Sequence, residues 1–337
     1  MKRLLLTYIA AFCLTFNAMS AERTVNLRII QTSDVHGCFF PYDFINRTPK
    51  SGSLARVITY VDSLRKVYGS NLILLDNGDI LQGQPTCYYY NYINTGTTNI
   101  AADLVNYMQY DVGNHDIETG HAVYDKWIKE VKCPMLGANV IDTKTGKPYL
   151  HPYTILQRDG LKIAVIGMLT PAIPNWLNES LWKGLRFDEM VSSSRYWMEY
   201  IKMHEKPDVV IGLFHSGKEG GIETAQYQED ASLKVAREVP GFDLILFGHD
   251  HTKFKGIVKN TEGKDVVCLD PSCNAYMISD ARISITFDRQ HNNTNKILKK
   301  NIEGDVVNIE SQEINKEFIS RFQPEIDSVM QFVNRKI

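Results

Sequence analysis

The sequence predicts a layered α/β fold, and three observations lead there. Short runs rich in β-branched and other apolar residues alternate with longer segments of helical period. The 337 residues are 44% hydrophobic and 23% charged, a balance that excludes disordered, collagen-like and coiled-coil chains. Finally, Asp, His and Asn residues gather where the apolar runs end.

Taken in order, residues 27–32 read as the first strand and 54–68 as the first helix, with apolar residues at helical spacing. A strand at 72–75 follows, then helices at 100–108 and 121–131 and strands at 135–140 and 163–168. Helix 192–204, strand 209–214, helix 232–238 and strands 244–247, 266–269 and 283–287 complete the alternation. After Phe287 the chain turns polar (DRQHNNTNK), and from Ser311 it regains helical period with Pro324 in the middle. The expected organisation is a leader over residues 1–21, one catalytic-size domain over 22–303, and a helical tail over 304–337. There is no internal repeat or Gly/Ser linker.

The leader carries Met1-Lys2-Arg3, an apolar run from Leu4 to Phe16, and small residues at Ala18-Met19-Ser20-Ala21. That is the pattern of a cleaved export signal, and it implies a periplasmic or extracellular protein. The run is too short for a stable membrane anchor, which needs about 20 apolar residues. Bulky Phe12 before Cys13 argues against a lipoprotein site. With 37 basic against 39 acidic residues, no charge excess points to a nucleic-acid polymer. Beyond the leader stand Cys38, Cys87, Cys133, Cys268 and Cys273, an odd number with no zinc-finger spacing. Only Cys268 and Cys273 are spaced for a small loop disulfide.

The chemistry lies at the strand ends. Strand 27–32 runs into Ser33-Asp34-Val35-His36-Gly37, and strand 72–75 into Asp76-Asn77-Gly78-Asp79. Gly113-Asn114-His115-Asp116, His215 and Gly248-His249-Asp250-His251 follow, so five of the nine histidines fall in these segments. Open α/β sheets form ligand sites beyond the carboxyl ends of their strands. Mixed Asp, His and Asn donors suit divalent ions such as Zn, Mn or Fe. The i, i+2 spacing of Asp34 with His36 and of His249 with His251 fits extended backbone. A carboxylate such as Asp79 can bridge two ions about 3.5–4 Å apart, a geometry suited to phosphoester hydrolysis. Gly37, Gly78, Gly113 and Gly248 would let the backbone turn closely beside them.

The ordered set DVHG, GD, GNHD, H and GHDH resembles the calcineurin-like metallophosphoesterase superfamily. The fuller forms TSDVHG, DNGD, GNHD and GHDHT are similar to the catalytic domain of bacterial 5′-nucleotidases and 2′,3′-cyclic-nucleotide phosphodiesterases. The resemblance implies a four-layer α/β/β/α metallophosphatase sandwich with two mixed β-sheets. It implies two divalent metal ions (Mn, Zn, Fe or Co), one held by Asp34, His36, Asp79 and His251. The other would be held by Asp79, Asn114, His215 and His249. His115 matches the catalytic histidine, which stabilises the charged transition state or protonates the leaving oxygen, and Asn114 and His115 would contact substrate. A hydroxide activated by the metals would attack phosphorus.

Implied substrates are nucleotides or other small phosphate esters, with phosphomonoester or 2′,3′-cyclic phosphodiester hydrolysis both open. A non-catalytic metal-binding subunit of a two-chain nucleotidase is the contrasting reading. Three features depart from the family pattern. Glu118 stands where an Asp usually orients the catalytic histidine, with Asp116 as its alternative. The approach to Gly113 leaves about three residues for a strand. The C-terminal nucleotidase domain that selects the base is not in this sequence, which implies a chain that works either alone on a less demanding phosphoester or with a separately encoded C-terminal nucleotidase domain as partner.

Other residues read as structural. Asp76, Asn77 and Asp250 shape turns. Tyr88, Tyr89, Tyr90 and Tyr92 pack, with a base contact as the alternative, and Phe39 and Phe40 pack or wall the site. Ser216-Gly217 reads equally as a turn or a phosphate approach. His121, His151, His204 and His291 belong to no motif.

Overall fold

A computed structural model describes residues 22–114, 116–289 and 295–335. The expected leader, His115 and His291 therefore lie outside the described residues. The strands of the two large sheets are, in chain order, β1 (Glu22–Thr32), β2 (Leu72–Asp76), β3 (Val112–Asn114) and β4 (Met135–Leu136). They continue with β5 (Tyr153–Arg158), β6 (Leu161–Leu169), β7 (Val209–His215) and β8 (Leu244–Phe247). The last four are β9 (Lys253–Lys259), β10 (Asp265–Pro271), β11 (Met277–Arg289) and β12 (Asn295–Asn308).

One six-stranded sheet has the order β12-β11-β1-β2-β3-β4, and the other β9-β10-β8-β7-β6-β5. Both are mixed. In the first, β1, β2, β3 and β4 are parallel, β11 runs antiparallel to β1, and β12 runs antiparallel to β11. In the second, β6, β7, β8 and β10 are parallel, with β5 and β9 antiparallel at the edges.

The layering follows from strand alternation. Val25, Leu27 and Ile29 of β1 face Leu244 and Leu246 of β8 in a core between the sheets. The intervening residues point outward: Ile30 joins one helical core, and Ile245 and Phe247 join the other. The longer helices are α1 (Leu54–Tyr68), α2 (Ile100–Met108), α3 (His121–Glu130), α4 (Met190–His204), α5 (Ser232–Glu238), α6 (Lys316–Arg321) and α7 (Gln323–Val333). Residues of α1, α2, α3, α6 and α7 cover the first sheet, and those of α4 and α5 the second. The order is helix, sheet, sheet, helix, as the motifs implied.

Strands β5, β9 and β12 escaped the sequence reading for one reason: they are edges or polar hairpin arms, β5 being half-buried at one edge of the second sheet. Exposed Lys253, Lys255 and Lys259 mask β9, and Lys296, Lys299 and Lys300 mask β12. β12 is held by an antiparallel ladder to β11 from Met277↔Asn308 to Arg289↔Asn295 and runs across the expected boundary at 303. The single strand expected at 135–140 is instead two, Met135–Leu136 and Val140–Asp142. Around the short β3, Asp111 serves as a ladder partner. Its Oδ2 accepts the Leu74 N–H at 2.9 Å, and its own N–H donates to the Leu74 carbonyl at 2.8 Å. The ladder then resumes at Leu75↔Val112 and Asp76↔Gly113, carrying Asn114 to the sheet's carboxyl edge.

The tail is part of the core. Phe318 and Phe322 are fully buried, their rings 5.0 Å apart, and Phe322 meets Tyr107 edge-on at 5.5 Å. Phe322→Ala is expected to remove about 3–5 kcal/mol of unfolding free energy, the usual cost of a fully buried Phe. Urea denaturation checks this, and an unchanged midpoint would contradict the packing role.

Candidate metal centre

The carboxyl ends of β1, β2, β3, β7 and β8 meet where the two sheets face each other. Gln31 ties them by donating its Nε2 to the Phe247 carbonyl at 3.0 Å, and Asn77 donates to the Phe214 carbonyl at 2.8 Å. Asp34 and His36 follow β1, Asp79 follows β2, Asn114 ends β3, His215 ends β7, and His249 and His251 follow β8.

Five of these residues occupy the left-handed backbone region: Asp34 (φ 51°), His36 (φ 49°), Asp79 (φ 53°), His249 (φ 87°) and His251 (φ 57°). Asp and His tolerate that region better than most residues, yet each such position costs on the order of 1 kcal/mol and needs its surroundings to hold it. The expected extended geometry of the Asp34/His36 and His249/His251 pairs is therefore corrected: both lie in tight turns. Turn hydrogen bonds enforce this. Asp34 N–H donates to the Gly78 carbonyl at 3.0 Å, and His36 N–H to the Asp79 carbonyl at 2.8 Å. Asp76 accepts the Thr32 hydroxyl at 2.6 Å and the Gly78 N–H at 3.1 Å, the turn-shaping role read for it. Gly78 (φ 96°) supplies the conformation between them.

Gly248 is required by closeness rather than by its φ. A Cβ there would lie 1.9 Å from Ser33 Oγ and 2.4 Å from Asp34 Oδ2. The β8 turn thus presses directly on the β1 turn, and His249 N–H donates to Asp34 Oδ2 at 3.0 Å.

Asp34, His36, Asp79 and His251 each offer a ligand atom, and these atoms lie within 4.8 Å of one another. His36 Nε2 is 2.8 Å from His251 Nε2 and 3.6 Å from Asp79 Oδ2, while His251 Nε2 is 3.4 Å from Asp34 Oδ1. Burial opposes the charge on Asp34, but His251, His215, Ser33 and the His249 N–H outweigh it and hold the carboxyl well below the usual range. Burial pushes the His36 imidazole down, and the hydrogen bond that His251 donates to the Asp34 carboxylate raises His251.

His215 donates its Nδ1–H to the Asn77 carbonyl at 2.7 Å, which turns Nε2 toward Asp79 Oδ2 at 3.7 Å. That buried Nε2 has no hydrogen-bond partner among the described residues. Burial would lower the His215 pKa, but the carboxylates of Asp79, Asp34 and Glu118 reverse this and raise it to about 9. An unpartnered imidazole nitrogen beside the Asp79 carboxylate, with the Asp34 carboxylate and two more imidazoles in the adjoining cluster, fits a divalent cation with mixed O/N donors.

The remaining expected ligands are arranged differently. Asn114 directs Nδ2 to the carbonyls of Met168 at 3.0 Å and Leu213 at 3.1 Å. His249 packs its ring 5.2 Å from that of His215, places Nε2 3.2 Å from Glu229 Oε1, and stacks on Trp176. Glu118 offers a carboxylate near those of Asp79 and Asp116, and burial together with Asp79 raises its pKa to about 7. Asp116 accepts the Ile80 N–H at 3.1 Å and so braces the turn after Asp79.

Sequence reasoning missed Glu229, Trp176 and the Asn77 carbonyl. Glu229 lies in a short strand, Gln228–Asp230, and Trp176 ends a short helix, Ile173–Trp176, neither within a motif, and a carbonyl's role carries no residue signal. Asp250 accepts from Thr252 N–H at 2.9 Å and Lys218 N–H at 2.8 Å, as a turn spacer would. Phe39 and Phe40 are core residues, and Tyr88 and Tyr89 pack against Phe332. Cys268 and Cys273 are free thiols rather than a disulfide.

The sequence model of the family described as calcineurin-like phosphoesterase matches residues 27–253, more than half of the chain. The chain is 29% identical over 268 residues to a 2′,3′-cyclic-nucleotide 2′-phosphodiesterase/3′-nucleotidase of Yersinia enterocolitica, covering 74% of this chain and 40% of that protein. It is 31% identical over 235 residues to a 5′-nucleotidase of Vibrio cholerae, covering 68% and 41%. Among solved structures, the calcineurin-like phosphoesterase YfkN from Bacillus subtilis superposes with a TM-score of 0.78 at 23% identity, covering 93% of this chain and 100% of that one. A 5′-nucleotidase precursor from Thermus thermophilus gives 0.71 at 19% identity, covering 92% and 60%. These structures share the fold. The chain spans about 40% of the length of the curated relatives it matches.

Two outcomes are expected from this geometry. Gly248→Ala should keep the fold but displace Asp34, lowering activity by roughly a hundredfold, since a shift of about 1 Å costs that much. Circular dichroism alongside turnover checks it; full activity would contradict the close approach. In chelator, His215 is protonated in the folded protein up to about pH 9 but titrates near its ordinary 6.5 when unfolded. Its contribution is complete below the unfolded value and lost as pH rises through the folded one. Tm of the metal-free protein should fall between pH 7 and 9.5, and fall less in His215→Asn.

Proposed function

The chain belongs to the calcineurin-like phosphoesterase family, and from that premise we propose that it is a dinuclear-metal hydrolase of nucleotides or related small phosphate esters. Members of the family use divalent metals. The observation that carries the reading is the gathering of Asp34, His36, Asp79 and His251 within 4.8 Å, with the unpartnered His215 Nε2 aimed at Asp79. In this reading Asp34, His36, Asp79 and His251 hold one ion, and Asp79, Asn114, His215 and His249 hold the second. Two such ions would polarise the ester's phosphoryl oxygens and lower the pKa of a water toward neutrality.

The chain's own residues do the positioning. The Asn77 carbonyl fixes the His215 tautomer so that Nε2 is the ligating atom. Asn114 is oriented by the two carbonyls that take its Nδ2. Asp34, ionised through its donors, supplies a charged oxygen without needing water around it. His115 is assigned the developing charge or the leaving oxygen, and Glu118 or Asp116 its orientation. Asn114 and His115 are also assigned to substrate contact.

The substrate class is supported by the printed names of the relatives, which include both 5′-nucleotidases and 2′,3′-cyclic-nucleotide 2′-phosphodiesterase/3′-nucleotidases, and 5′-nucleotides are the first reading. A 2′,3′-cyclic phosphodiester is the second reading, favoured by the Yersinia relative. A separately encoded base-binding domain, export by residues 1–21, and ions drawn from Mn, Zn, Fe and Co belong to the same proposal. No helix among the described residues is long and apolar enough to cross a membrane.

Hydrolysis of p-nitrophenyl phosphate and of bis(p-nitrophenyl) phosphate tests this, with metal content measured on the same samples. Asp79→Ala should abolish turnover of both and lower metal content by removing the shared ligand. His115→Ala should keep its metal and lose most turnover. A wild-type protein that binds two ions but cleaves neither ester sinks the enzyme reading and leaves the metal-binding subunit.

A further inference from the structure

Glu229 precedes α5 in a polar stretch and belongs to no motif, yet four hydrogen bonds pass through it. Its Oε1 lies 3.2 Å from His249 Nε2, and its Oε2 accepts the Ile222 N–H at 2.6 Å. Its backbone carbonyl accepts the Ser216 hydroxyl at 2.7 Å, next to His215, and the Thr170 hydroxyl at 3.0 Å. The residue therefore braces the loop after β7 while touching the ring that follows β8. On its face, the same His249 ring is covered by Trp176, with centroids 5.2 Å apart and planes 25° apart. At its backbone it is held by the Asp34 carboxylate.

A neutral imidazole has one N–H and one bare nitrogen, and an ionised carboxylate can only accept. A Glu229 carboxylate facing Nε2 thus requires the proton on Nε2, which leaves Nδ1 with its lone pair. No partner engages Nδ1 among the described residues. We propose that Glu229 is a positioning residue for the dinuclear centre, fixing His249 in the tautomer whose Nδ1 can ligate. This rests on the reading above in which His249 holds the second ion. Carboxylates behind a ligating histidine orient the ring and raise its basicity.

A competing use of the same groups is direct cation binding, since Glu229, Asp230 and His249 offer ligand atoms within 4.8 Å. Their existing bonds weigh against it. Asp230 Oδ1 accepts the Gly217 N–H at 2.7 Å, and Glu229 Oε2 is taken by Ile222. Both carboxylates already hold loop backbone in place.

Two measurements test the proposal: ring 15N spectra of the metal-free protein, and a Mn2+ titration in which the free ion is followed by electron paramagnetic resonance. Wild type should show His249 as the Nε2–H tautomer and bind two ions. Glu229→Ala should leave the tighter ion in place and weaken the second by about ten- to a hundredfold. Glu229→Gln, with one acceptor oxygen for two donors, should fall between them. An Nδ1–H tautomer in wild type, or unchanged second-ion affinity in Glu229→Ala, overturns the role. So does a third Mn2+ that disappears with Glu229. Fewer than two ions on the wild type would instead overturn the dinuclear reading on which the role rests. The tautomer is read on wild type alone, so it stands whether or not either variant folds.

Discussion

The arrangement depends on a buried carboxylate. Asp34 is wholly inside the protein, where an ionised group is costly unless its oxygens are satisfied. It is satisfied by the neighbouring Ser33 hydroxyl and, from more than 200 residues along the chain, by the His249 N–H and the His251 imidazole. These contacts exist only if the turn after β8 lies flat on the turn after β1, which the missing side chain of Gly248 permits. The joining of the two sheets at this edge and the charge state of the site are therefore one constraint.

The same constraint explains the backbone. Asp34, His36, Asp79, His249 and His251 sit in a left-handed conformation that each would avoid in isolation. Each is pinned by bonds running between turns rather than along them, such as His36 N–H to the Asp79 carbonyl. The two sheets supply the rigid platform, packed through alternating aliphatic residues of β1 and β8. Strain is concentrated where the donors converge, and the cores on either side hold it there.

Much of this was legible in the sequence. DVHG, GD and GHDH stand at the ends of apolar runs, and those runs form β1, β2 and β8. The turn role of Asp76 and the core role of Phe39 and Phe40 followed from ordinary residue preferences. What sequence reasoning lacked was geometry made by contacts between distant residues. The i, i+2 spacing of His249 and His251 suggests extended backbone, yet their left-handed turn sends one ring to Glu229 and the other to His36. Strand β12 was hidden because an exposed arm held by a backbone ladder needs no apolar pattern. Asp111 replaced the missing start of β3 through a side-chain bond that no periodicity could announce.

In the proposed reading Asp79 stands between two ions, one toward Asp34, His36 and His251 and the other toward His215 and His249. Anomalous diffraction from crystals soaked in Mn2+ tests it most directly. The account predicts two anomalous peaks about 3.5–4 Å apart with an Asp79 oxygen between them. A single peak, or a pair that leaves Asp79 uncoordinated, would contradict it.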